Sequence, residues 1–110
     1  MEDIVTNDDL QHVLSTNEVL IAVGRERLRQ RAKFGIQRHD FPVWMTVLGE
    51  EFGEACQAIL RSREDLPPTQ RAVHLNHARN ELVQVAAVAV AAIEHLNELV
   101  GEDGSLNRQG

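Results

Sequence analysis

After Pro68 the chain has no proline or glycine until Gly101. This unbroken stretch predicts one helix over about 68–100, close to 50 Å long at ~1.5 Å per residue. The alternative is a kink or split near Asn76–Asn80, where the sequence turns polar. The middle of the stretch, LVQVAAVAVAAI at 82–93, is apolar around its whole circumference. A helix that is apolar on every side is buried on every side. A three- or four-helix monomer of 110 residues would leave one of those sides in water. The expectation is therefore an all-α helical bundle that assembles as an obligate homo-oligomer, with this helix at its centre and its alanines permitting close approach.

The rest of the chain also reads as helices separated by two breaks, GIQRHDF at 35–41 and EDLPPTQ at 64–70. No segment sustains strand alternation. Thr6 or Asn7 is placed to cap a first helix with Leu10, Val13 and Leu14 inward. STNE at 15–18 also fits a capping box, so a second start near Thr16 and one continuous helix both agree with the sequence. Gly35, after a basic last turn, suits the helix end. Pro42 suits the first turn of the next helix, with Asp40 or Phe41 near its cap. Trp44, Val47, Leu48, Phe52, Ala55 and Ile59 recur at helical spacing and predict its core face, to about Arg63. One domain over 1–110 is expected, with a core of about 16–100, an N-terminal helical arm at 1–15 and a frayed tail at 101–110.

Seventeen acidic against eleven basic residues give a formal net charge of −6, which argues against general nucleic-acid binding. Cys56 is the only cysteine, so there is neither an intrachain disulfide nor a thiolate zinc cluster; a small core residue is expected there. The acidic start MEDIVTNDDL lacks the apolar segment of a signal peptide. The 82–93 run is too short to span a bilayer. A cytoplasmic protein without membrane contact is the expectation.

The sharpest local anomaly is GEEFGEACQAIL at 49–60. Glu50, Glu51 and Glu54 interrupt an apolar helical stretch. At about 5 Å and an effective dielectric near 20, each like-charge pair costs roughly 3 kcal/mol before a partner arrives. On a helical wheel Val47, Glu51, Glu54, Ala55 and Ala58 are neighbours, so Glu51 and Glu54 lie at or within the apolar edge. A solvated acidic edge, with Glu50 or Glu54 paired to Arg61, is the plain alternative. Glu81 and Gln84 are polar residues one turn apart that enter the all-apolar segment, and buried polar groups need partners. If the two helices pack antiparallel, Glu51 and Glu54 face Glu81 and Gln84. Carboxylates and an amide oxygen around one point suit Mg²⁺, or Mn²⁺ in its place. Neither Glu54 nor Glu81 has a histidine three residues on, which argues against a ferritin-like di-iron centre.

Six of the eleven basic residues fall in RERLRQRAKFGIQR at 25–38: Arg25, Arg27, Arg29, Arg31, Lys33 and Arg38. Arg25, Arg29 and Lys33 are four apart and share a face. They fit either a favourable helix C-terminus paired with the acidic helix or a clamp for a polyphosphate. No Walker-type loop is present. His74 and His77 with Glu81 have i, i+3, i+7 spacing, usable by a transition metal but more often that of exposed helix residues. His39 and Trp44 flank the acidic helix; Trp44 reads as core or as a stacking wall for a base.

Together these residues resemble the MazG-like all-α nucleoside triphosphate pyrophosphohydrolases. That family's motif is EExxE, a gap, then ExxD. Here it is Glu50-Glu51-Phe52-Gly53-Glu54, a 26-residue gap, then Glu81-Leu82-Val83-Gln84. ERLRQRAKFGIQRH before the motif and ELVQVAAVAVAAIEHL from Glu81 on also look like small MazG-like proteins, and the resemblance covers roughly 18–100. It implies Mg²⁺-dependent cleavage of a nucleoside triphosphate between the α and β phosphates, giving monophosphate and pyrophosphate. It also implies dimers or tetramers. Carried over by position, Glu51, Glu54 and Glu81 would be metal ligands and Glu50 a ligand or base. Arg29 and Lys33 would hold phosphate. Gln37, His39 and Trp44 would meet the nucleoside. Gln84 stands where the motif has Asp and brings a ligand oxygen but no charge. The alternative is a catalytically degenerate oligomer that binds nucleotide or acts as a regulatory or antitoxin-like partner, its carboxylates neutralised by Arg25, Arg29 or Lys33.

Overall fold

The computed structural model describes residues 4–103, and they form three helices: α1 (Asn7–Phe34), α2 (Phe41–Arg61) and α3 (Pro68–Asp103). The all-α expectation holds. Among the described residues there is no strand.

α1 starts at Thr6. Its hydroxyl accepts from the Asp9 amide at 3.0 Å while the Asp9 carboxylate accepts from the Thr6 amide at 2.9 Å. This reciprocal capping box satisfies two of the amides a helix start leaves orphaned. The hydrogen bond from the Thr6 amide, and secondarily the nearby Thr6 hydroxyl, also holds Asp9 below the ordinary carboxylate range. The second box at 15–18 is not used, and α1 is one helix. A mid-chain restart would give up intrahelical hydrogen bonds with no breaker to compel it. Gly35 ends α1 with φ 73°, the one left-handed backbone position described, and its amide returns to the Arg31 carbonyl at 2.8 Å. α2 follows with Pro42 in its first turn and ends at Arg61, where the Ser62 hydroxyl donates to the Ile59 carbonyl at 2.6 Å. α3 is continuous through 76–80. It also runs past Gly101, the expected end, because a glycine outside the left-handed region weakens a last turn without stopping it. Most of the expected frayed tail, 104–110, lies outside the described residues.

α3 is the centre, and α1 and α2 pack against it without packing on each other. Trp44 meets His95 and Val47 lies by Val88, while Glu51 and Glu54 lie by Glu81, so α2 runs antiparallel to α3. α1 runs in the same sense as α3: Val23 lies by Val83 and Ala86, and Arg27 pairs with Glu94 at 2.7 Å. Arg38 after α1 pairs with Glu98 at 2.8 Å. Trp44, Val88, Ala91 and Ala92 form the core with Val47 and Leu48 against it.

Several expected core positions are in water within the single chain. Leu10, Val13 and Leu14 are half exposed, and Phe52 (57%) and Ile59 (49%) lie on an open flank of α2 beside Leu82 of α3. Cys56 shares that flank and is exposed, not core. On α3, Ala87, Val88, Ala91 and Ala92 are buried, while Leu82 and Ile93 are half exposed. The two helices α1 and α2 leave part of the circumference of α3 uncovered. By length and composition Pro68–Glu102 is also apolar enough to cross a membrane, contrary to the estimate from the 82–93 run alone. The flanking turns of α3 extend the apolar window beyond that run.

Candidate functional site

The separation of α1 from α2 leaves a cleft of about 330 Å³ with α3 as its floor. Arg29, Gln30 and Lys33 come from α1, Gln37 and His39 from the loop, Trp44 and Glu51 from α2, and Gln84 from α3. Seven residues expected at the site thus meet here: Arg29, Lys33, Gln37, His39, Trp44, Glu51 and Gln84.

At one end the antiparallel pairing brings Glu51, Glu54 and Glu81 together, with one carboxylate oxygen from each within 4.8 Å of the others. Glu51 and Glu81 are half-buried and Glu54 is exposed. Burial, then the charges of Glu54, Glu81, Glu26 and Glu50, raise the Glu51 pKa above its ordinary value. Among the described residues no lysine or arginine forms an ion pair with any of the three, and neither Glu50 nor Glu54 pairs with Arg61. Glu81 does meet the His77 ring at 3.1 Å. His74 and His77 are not part of the carboxylate group. Such a group could hold a metal ion, although exposed acidic groups are common without one. Glu50 is exposed, outside both the group and the cleft wall, and reaches it through its charge on Glu51.

The α1 wall is basic. Arg29 and Lys33 line the cleft, while Arg25 is exposed outside it and Arg27, Arg31 and Arg38 do not contribute to its lining. At the far end His39 sits edge-on to Trp44, with ring centroids 4.8 Å apart at 71°. Trp44 is buried and its indole N–H donates to His95 Nδ1 at 2.9 Å, so it is core with one edge on the cleft.

Glu26 and Gln30 were not singled out by sequence reasoning. Arg29 grips the Glu26 carboxylate through Nη2 at 2.6 Å and Nε at 2.9 Å, which is the main reason its pKa falls. Gln84 adds to the lowering of the Glu26 pKa, and its Oε1 accepts from Gln30 at 3.5 Å. A signal was present. Val19, Val23, Glu26, Gln30 and Lys33 follow the 4–3–4–3 spacing of a single packed stripe, so the two valines that touch α3 point to the polar residues that continue their line. Comparison with protein-family models, with curated proteins and with solved structures finds no match to this chain.

Proposed function

We propose that the chain is a cytoplasmic, Mg²⁺-dependent nucleoside triphosphate pyrophosphohydrolase of MazG-like type, working as a homo-oligomer. One observation carries the reading: Glu51 belongs both to the three-carboxylate group and to the wall of a cleft whose opposite side holds Arg29 and Lys33. A triphosphate needs a cation on one side and basic side chains on the other.

The residues fit a hard cation. Glu51, Glu54 and Glu81 offer oxygen donors from two helices, and among the described residues no arginine or lysine forms an ion pair with them. Mg²⁺ held there, or Mn²⁺, would supply neutralisation of phosphate oxygens and acidification of water. Arg29 and Lys33 hold the polyphosphate along α1. The Glu50 carboxylate, exposed beside Glu51, would accept the proton of the attacking water. Gln37 and His39, with the Trp44 edge behind them, meet the nucleoside.

The exposed apolar surface supports self-association. The accessible surface is 8612 Å², against roughly 6100 Å² for a compact monomer of this mass. The radius of gyration is 18.0 Å, against about 13 Å for a compact chain of this length. An excess near 2500 Å² per chain is of the size obligate interfaces bury. A lipid surface is the competing cover for α3. A second copy is favoured because Glu94 and Glu98 of α3 are ion-paired to Arg27 and Arg38, and such pairs sit poorly in hydrocarbon.

The test is pyrophosphate release from a panel of ribo- and deoxyribonucleoside triphosphates with Mg²⁺. Release from at least one, abolished in Glu54→Gln with helicity unchanged, is expected. No turnover of any triphosphate, with no Mg²⁺-dependent rise in melting temperature, would favour the non-enzymatic partner protein instead.

A further inference from the structure

Glu26 is out of character for its helix. Val23 is the one buried residue of α1, and nearly all its charged side chains lie in water. The Glu26 side chain is only 11% exposed, while its partner Arg29 is 55% exposed and lines the cleft. A carboxylate this covered needs compensation, and Arg29 supplies it with a two-pronged grip at 2.6–3.1 Å. Arg29, Gln84 of α3 and Glu51 of α2 line the same cleft; Gln84 also helps lower the Glu26 pKa, and the Glu26 charge is felt at Glu51. Glu26 thus lies on the α1 wall near the acidic end of the cleft, close enough to Glu51 for its charge to act there. Arg29 is the adjacent cation, and it has two competing uses: neutralising Glu26 or facing an anion in the cleft.

We infer that the Glu26–Arg29 pair sets the cation affinity of the Glu51–Glu54–Glu81 group, with Glu26 acting as a positioning carboxylate whose effective charge at the site Arg29 controls. The inference rests on the proposed metal reading. While Arg29 is closed on Glu26, the negative field at the three carboxylates is partly cancelled. An anionic phosphate entering the cleft competes for Arg29, restores the Glu26 charge and strengthens the field that holds the cation. Cation and phosphate then bind with positive coupling through one arginine. Gln84, which also helps lower the Glu26 pKa, is an amide and adds no further repulsion to Glu51. Carboxylates outside the ligand set commonly alter metal affinity by about 10-fold or more.

The test is titration of Mn²⁺, followed by the loss of its free electron-paramagnetic-resonance signal, on the full chain without nucleotide. Wild type, Glu26→Gln and Arg29→Gln are compared, with circular dichroism as the folding check. Glu26→Gln is expected to weaken Mn²⁺ binding about 10-fold. Arg29→Gln is expected to tighten it by a similar factor, because it frees the Glu26 charge. A purely structural ion pair would instead weaken binding in both variants, since each breaks the same contact. Parallel weakening, or an unchanged affinity in either folded variant, overturns the inference. Either variant decides alone if the other fails to fold. Absence of Mn²⁺ binding by wild type would sink the metal reading itself, and this inference with it.

Discussion

Replacing Glu51 by Gln removes the most confined charge of the acidic group while keeping its shape. With oxygens of Glu51, Glu54 and Glu81 within 4.8 Å of one another, each like-charge pair costs about 3 kcal/mol at an effective dielectric near 20 and about 1 kcal/mol in bulk water. Glu54 is exposed and Glu51 and Glu81 are only half-buried, so the lower, water-screened figure suits both pairs that Glu51 makes. Relief of both repulsions should raise the stability of the metal-free protein by about 2 kcal/mol, or roughly 8 °C in melting temperature. The gain has a defined pH window. Glu51 has a raised pKa in the folded chain, so the folded state holds more protons above the ordinary value of 4.5, and wild-type stability falls as pH rises through the folded pKa. The variant should therefore lead wild type at pH 7.5 and match it below the unfolded value. Mg²⁺ at 10 times its dissociation constant should add about 1.4 kcal/mol to wild type and little to the variant, narrowing the gap. The assay is thermal unfolding at fixed protein concentration, in chelator and in Mg²⁺, at both pH values. A metal-free Glu51→Gln that melts lower than wild type at pH 7.5 would refute the argument, because it would mean that a protein cation already stabilises the carboxylate.

Further outcomes follow from the packing. Trp44→Ala empties the largest buried side chain of the core and should cost about 3–5 kcal/mol in denaturant unfolding, whereas Trp44→Phe loses chiefly the 2.9 Å hydrogen bond to His95, near 1–2 kcal/mol. Equal losses would show that the indole volume is not what fills the site. Leu60, 74% exposed beside Phe52 and Leu82, should lie in the subunit interface; Leu60→Asp is expected to lower the mass measured by light scattering, and an unchanged assembly would move the interface elsewhere. Glu26→Gln should lower stability at neutral pH. The Arg29 hydrogen bond depresses the Glu26 pKa in the folded state, so its contribution is present above 4.5 and lost as pH falls through the folded value; a deficit that persists at lower pH would point to packing instead.

The two breaks were legible because they rest on local chemistry: Gly35 takes a left-handed backbone, and Pro67 and Pro68 separate α2 from α3. The approach of Glu51 and Glu54 to Glu81 was legible for a similar reason. Polar residues at the edge of two apolar stripes have few places to go once those stripes pack antiparallel. What stayed hidden depended on long-range packing. Helical spacing marks Phe52, Ile59 and Leu14 as wanting cover, but it does not say whether the cover lies in the same chain, and here it does not. The choice between Thr6 and the 15–18 box turned on the propagation of a helix already begun, which a local cap motif does not reveal. Glu26 was masked by the abundance of charge around it, although the spacing from Val19 through Lys33 placed it on the packed stripe.

The central claim is that Glu51, Glu54 and Glu81 bind one divalent cation open to the cleft. Anomalous diffraction from crystals grown with millimolar Mn²⁺ tests it most directly. The account expects a peak bounded by these three carboxylates at roughly 2.0–2.2 Å from their oxygens, on the side facing Arg29 and Lys33. A map without that peak, in which a lysine or arginine of a neighbouring subunit fills the space between the carboxylates, would contradict it.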